Sequence, residues 1–160
     1  MNDFAAYREP VRAEWVDYNG HMNVAYYVLV FDHATDAVLD QLGLGESYRS
    51  DTGCSVFVGE MHVTYRREVL LGDEMIVSSR VMAHDAKRVV LYHQMACPRV
   101  GDGVAGNEVL CVHVDLATRR TAPWPATHLT RLAAAVAGQA HQPRPGGGGG
   151  AINLLGRKRP

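Results

Sequence analysis

Between Glu14 and Tyr27 the chain reads EWVDYNGHMNVAYY. Asp17, Asn19, His21 and Asn23 fall on alternate positions there, with Gly20 in the middle. A carboxylate can take a proton from water or attack an electrophile itself. A carboxamide such as Asn19 positions a partner without gaining or losing a proton. An imidazole can relay a proton or polarise a carbonyl. Asn-Gly marks a tight turn, because glycine adopts positive φ at no steric cost. An apolar segment follows from Val24 to Leu42, and Asn23 is placed to cap a helix there. Polar side chains then gather at the positive end of a helix, where developing negative charge is stabilised. The bland alternative is structural. Asp17 and Asn19 would only shape the turn, Asn23 would only cap, and His21 would be a buried ring satisfied by a carbonyl.

These residues need elements to hold them. Tyr7 to Val16 reads as a first strand, with Pro10 marking an edge or an irregular start. The helix from Val24 to Leu42 is apolar on most sides, which predicts that it is largely buried. Gly43 stops it, and Gly45 to Gly53 reads as a polar loop. Four strand-like runs follow: Cys54 to Arg67, Glu74 to His84, Arg88 to Cys97 and Ala105 to Leu116. Strict alternation in the first puts Phe57, Gly59, Met61, Val63 and Tyr65 on one face and Val58, Glu60, His62, Thr64 and Arg66 on the other. The short connections imply an antiparallel meander. A short Ala-rich helix spans Pro125 to about Ala137. The expected architecture is therefore α+β, an antiparallel sheet of about five strands wrapped around one long central helix, with a short C-terminal helix. Residues 1–138 form the one domain. Residues 139–160, Pro-rich, Gly-rich and basic, are expected to be a flexible, disordered tail whose removal changes little.

Composition narrows the function. With 160 residues the chain can bury a real core, and 47% hydrophobic with 21% charged residues is ordinary for a globular protein. A formal net charge of -1 argues against a nucleic-acid binder. No apolar run is long enough to span a membrane, and no secretory signal stands at the N-terminus. Cys54, Cys97 and Cys111 match no zinc or disulfide pattern, which points to a reduced, cytoplasmic setting. Asp17, His21, Glu60 and His62 could meet at a metal on paper, but their spacing fits no closed ligand set, and no metal is expected. Glu60 lies mid-strand among apolar residues, where an acid is costly unless paired or used. It either pairs with His62 or serves a pocket, lining it or meeting a substrate cation.

The order of elements and the run DYNGHMNVAYY resemble the hotdog-fold acyl-CoA thioesterases of the 4-hydroxybenzoyl-CoA thioesterase type. The D-x-N-x-H spacing of Asp17, Asn19 and His21 is also similar to the active-site stretch of plant acyl-ACP thioesterases, as is the run Tyr65-Arg66-Arg67-Glu68. EWVDYNGHM, FDHATDAVL, GEMH around Glu60 and DAKRVVLYH resemble the betainyl-CoA thioesterases associated with carnitine dehydrogenase. The likeness covers roughly Val11 to Leu116.

That resemblance implies hydrolysis of an acyl-CoA to free acid and coenzyme A, with no cofactor beyond the coenzyme A of the substrate. Asp17 would be base or nucleophile, and Asn19 and His21 would position water or the carbonyl. Backbone N–H groups from Gly20 to Val24 would stabilise the oxyanion. Asn23, Tyr27, Glu60 and His62 become candidates for substrate binding. Arg66, Arg67, Lys87 and Arg88 are the clustered cations for the phosphates of coenzyme A. A homodimer with sites at the subunit boundary is expected, possibly assembled further as a dimer of dimers. Two other readings stay open: an acyl-CoA dehydratase or hydratase using Asp32, His33 and Asp36 on the helix, and a non-catalytic acyl-CoA-binding protein.

Overall fold

The computed structural model describes residues 4–143 and 150–154. Six antiparallel strands form one sheet in the order β1-β3-β4-β5-β2, with β6 joined to β5. The strands are β1 Tyr7–Pro10, β2 Cys54–Tyr65, β3 Glu74–His84, β4 Arg88–Cys97, β5 Gly101–Asp115 and β6 Arg120–Thr121. Three helices accompany them: α1 Val24–Gln41, α2 Glu46–Thr52 and α3 Ala126–Gln139. The class is α+β, as the alternation of the strand runs predicts.

The first strand is shorter than expected. It pairs with β3 from Tyr7↔Val77 to Pro10↔Glu74, and there β3 itself begins. With no partner left, the chain closes with Asp73 and Gly72 through Val11, then forms a 3-10 turn at Ala13–Trp15. The loop expected at Gly45 to Gly53 contains α2, anchored by the buried Tyr48, whose hydroxyl donates to His113 Nε2 at 2.8 Å. A single apolar anchor in seven residues leaves no helical period to read.

Helix α1 runs for 18 residues and buries Tyr27, Val30, Phe31, Ala34 and Val38 at the i, i+3, i+4, i+7 spacing of one face. It ends at Gly43, φ 74°, with Leu44 N–H reaching back to Leu39 O at 2.8 Å. Two apolar clusters lie between helices and sheet. One gathers Trp15, Met22, Tyr27, Phe31 and Met75 near the start of α1. The other gathers Val38, Leu91, Val109, Trp124 and Leu132 near its end. Between them sits a polar layer. Thr35 spends its hydroxyl proton on Phe31 O, so His93 Nε2–H donates to Thr35 Oγ1 at 3.0 Å. Ser79 then donates to His93 Nδ1 at 2.8 Å.

The strict alternation expected along β2 fails at one point. A bulge between Val58 and Glu60 shifts the register by one. Val56 pairs with His113 and Met61 with Val109, and both pack on the second apolar cluster although one is even-numbered and the other odd. Phe57, Glu60 and His62 pair with Val112, Leu110 and Glu108 and look the other way. Gly59 supplies the extra residue.

The tail departs from its expected freedom. Gln139, inside α3, is buried and its side chain accepts from Val81 N–H at 3.0 Å. Further on, Gly150, Ala151 and Ile152 donate their backbone N–H groups to the carboxylate of Glu108 at 3.0–3.2 Å. Glu108 is 2% exposed and Ile152 is buried. The disorder expected for residues 144–149 and 155–160 falls outside the described residues.

Candidate active site

The turn between β1 and α1 is built by backbone bonds. Asp17 N–H donates to His21 O at 3.1 Å and Gly20 N–H returns to Asp17 O at 2.9 Å. Gly20 takes φ 82°, the left-handed conformation that a β-carbon would strain. Val16 and Met22 form an isolated antiparallel bridge at the base of the turn. Met22 N–H ties the turn to Val69 O, and Asn23 N–H ties it to Trp15 O.

Within that frame the Asp17 carboxylate is half-buried and held at both oxygens. Oδ1 accepts from Asn19 N–H at 2.8 Å. Oδ2 accepts from Asn23 Nδ2 at 3.3 Å. The same Asn23 side chain caps α1, its Oδ1 accepting from Ala25 N–H at 3.0 Å. One amide therefore couples the helix start to the carboxylate, so Asn23 is more than a cap. His21 Nδ1–H donates to Met22 O at 3.2 Å, because a carbonyl can only accept. That fixes the tautomer and leaves Nε2 as the acceptor nitrogen.

Of the amides expected to meet an oxyanion between Gly20 and Val24, those of Gly20, Met22 and Asn23 already donate within the chain. The remaining pair are His21 and Val24, and Val24 opens the helix at 55% exposure. Its N–H lies where the helix dipole favours negative charge. Tyr65, from the last position of β2, closes over this end with its hydroxyl donating to Val24 O at 3.5 Å. The strand pattern gives no hint of that contact.

The other candidates divide. Arg66 and Arg67 stand at the same end of the sheet, where both backbone amides donate to Val104 O. Tyr27 is 4% exposed, and its hydroxyl donates to Arg67 O and accepts from Val69 N–H, both at 3.3 Å. It holds the loop that carries the arginines. Burial raises the Tyr27 pKa, so that hydroxyl keeps its proton. Within one subunit Lys87 and Arg88 lie away from the Asp17 turn. They sit in the β3–β4 turn, at the far end of strands roughly 33 Å long, where Arg88 Nε pairs with Asp85 at 2.7 Å. Glu60 and His62 point away from α1, on the sheet face that carries Glu108. On the helix, His33 Nδ1 pairs with Glu9 at 2.8 Å, not with Asp32 or Asp36. Among the described residues no three metal-ligating side chains come together.

The chain matches the thioesterase-like superfamily over residues 11–135. It is 38% identical to the betainyl-CoA thioesterase of Pseudomonas aeruginosa over 92% of this chain and 93% of that one. A 38% identity to an L-carnitine dehydrogenase/betainyl-CoA thioesterase of Agrobacterium fabrum covers 72% of this chain and 23% of that longer protein. A Staphylococcus aureus protein solved in complex with CoA superposes with a TM-score of 0.83 at 27% identity, over 95% of this chain and 96% of that one. The match spans every element from the end of β1 into α3, and the chain belongs to the thioesterase-like superfamily.

Proposed function

We propose that this protein hydrolyses an acyl-CoA thioester to the free acid and coenzyme A, with Asp17 as the reacting carboxylate. One observation carries the assignment. Asp17 is held from both sides at the start of α1, whose first residue is Val24. In the simplest course Asp17 takes a proton from water as the hydroxide adds to the thioester carbon. The oxyanion forms at the Val24 amide. It collapses with rupture of the carbon–sulfur bond, and the thiolate leaves and is protonated. The same geometry serves direct attack by Asp17, giving a mixed anhydride that water then opens. Asn19 and His21 Nε2 orient the water or the carbonyl.

Arg66 and Arg67 are the cations we assign to the coenzyme A phosphates. The relatives that act on betainyl-CoA make it the first acyl group to test. Helix α1 is read here as the central helix of a hotdog fold. β2 is an edge of the sheet and exposes Phe57, Val58 and Tyr65, so a second copy paired along it gives a homodimer. Such a seam would also bring Glu60 and His62 against the neighbouring subunit. A dimer of dimers would extend that assembly. All three cysteines are free thiols, which fits a cytoplasmic location.

The test is thiol release from a panel of acyl-CoA thioesters, betainyl-CoA included, by the native protein and by Asp17→Asn. The variant keeps the shape and loses the base, so its kcat should fall by about 10²–10⁴-fold. A folded Asp17→Asn protein with native turnover removes the assignment. Consumption of an enoyl-CoA without thiol release favours the hydratase reading.

A further inference from the structure

The Asp17 turn is braced from upstream by side chains that no part of the proposed reaction uses. Glu9 is 5% exposed on β1, deep for a carboxylate. It receives Arg12 Nη2 at 2.6 Å, Tyr7 Oη at 2.8 Å and His33 Nδ1 at 2.8 Å. Burial pushes its pKa up, but these three donors outweigh it and hold Glu9 below the usual carboxylate range. The ion pair fixes the Arg12 guanidinium 4.9 Å over the Trp15 ring. Trp15 also stacks with Tyr26 of α1, centroids 5.3 Å apart and planes 15° from parallel. The carbonyl of that same Trp15 accepts from Asn23 N–H at 2.8 Å. Asn23 in turn grips Asp17.

We infer that Glu9, Arg12 and Trp15 are positioning residues that set the Asp17–Asn23 geometry through the Trp15 ring and its carbonyl. The inference rests on Asp17 being the reacting carboxylate. The physical reason is that the Ala13–Trp15 turn lies outside the sheet ladder and has no strand partner to fix it. An aromatic ring in contact with both a cation and a tyrosine is held in tilt as well as in place. A ring that rocks moves its own carbonyl, and Asn23 follows. Reacting groups tolerate little of this, since a displacement of about 1 Å costs about a hundredfold in rate. Glu9 fixes the guanidinium from below, so its charge acts on the site across two intervening side chains.

Trp15 and Trp124 are the only tryptophans. Trp124 is buried beside His113 in the second apolar cluster, remote from the turn. In a Trp124→Phe background the emission of Trp15 therefore reports the brace directly. Steady-state kinetics on the best thioester of the panel should be compared for Trp124→Phe alone and with Arg12→Ala, Arg12→Lys, Glu9→Gln or Trp15→Phe. Arg12→Ala is expected to shift Trp15 emission and lower kcat by about tenfold to a hundredfold. KM should stay within about threefold, since the brace touches no substrate. Arg12→Lys and Trp15→Phe should recover part of kcat, because a cation over a ring survives in both. Glu9→Gln should move emission and kcat together in the direction of Arg12→Ala. Native kcat in Arg12→Ala with shifted emission would overturn the inference, and so would a loss fully matched by the unfolded fraction seen in circular dichroism. A kcat loss with unshifted emission would also overturn it. Full activity of Asp17→Asn in the same assay would instead overturn the reading beneath it.

Discussion

His93 should make the fold acid-sensitive before the carboxylates with lowered pKa values lose their contribution. The ring is fully buried between Thr35, Ser79 and the face of Phe31. Burial lowers its pKa from 6.5 to about 3. In the unfolded chain the same imidazole takes a proton as pH drops through its ordinary value, while the folded chain cannot. The unfolded state then binds more protons, so stability is complete above about pH 6.5 and falls as pH falls toward 3. Each pH unit below the unfolded value costs about 1.4 kcal/mol, hence about 2 kcal/mol by about pH 5. Glu9, Asp73 and Asp85 also have lowered pKa values, but their losses begin only as carboxylates protonate, at lower pH. The measurement is urea unfolding between about pH 7 and pH 5 for the native chain and His93→Gln. Absolute stability of the variant is immaterial, because the comparison is between slopes. The native chain should lose about 2 kcal/mol more than the variant over that range. Parallel slopes would refute the argument, since the buried ring would then contribute no proton linkage.

Two further outcomes follow from other contacts. Ending the chain after Pro143 removes the amides that wrap Glu108 and the cover of Ile152; we expect a loss of about 1–3 kcal/mol, read as about 3–8 °C in Tm, and an unchanged melt would show that the segment binds nothing of consequence. Replacing the exposed Phe57 and Val58 with lysine on the β2 edge should shift the molecular mass in solution from dimer to monomer, whereas a native protein that is already monomeric at assay concentration ends the edge-pairing proposal.

Much of the site was readable because its information is local. Asp17, Asn19, His21 and Asn23 lie within one turn, and Asn-Gly and a capping Asn are short-range signals. The middle strands were equally plain, with Glu74–His84 and Arg88–Cys97 bounded by turn residues on both sides. What failed was information held by partners distant in sequence. β1 stops at Pro10 because β3 has run out, which no property of residues 7–16 announces. The β2 faces interchange at Gly59 because β5 continues without a matching extra residue. That Lys87 and Arg88 lie at the other end of the strands from Arg66 and Arg67 within one subunit is set by strand pairing, which a charge count along the chain does not carry. The brace of Glu9, Arg12 and Trp15 combines three residue types that are ordinary singly and acquire meaning only when stacked. The contacts of Gly150, Ala151 and Ile152 with Glu108 are likewise beyond composition, which says how much a segment can bury and not whether its amides meet a carboxylate.

The tip of the Asp17 turn has a property besides its torsion angle. A β-carbon built on Gly20 would meet no heavy atom within 4 Å. Tyr18 beside it is 97% exposed. The glycine is thus demanded by backbone conformation alone, and no crowding surrounds it. Strain and volume are decoupled at this point, so the loop keeps a rigid shape while standing clear of its own protein. A bulky ligand, or the flank of a neighbouring subunit, can come up to the tip of the turn from that side without any rearrangement of the chain.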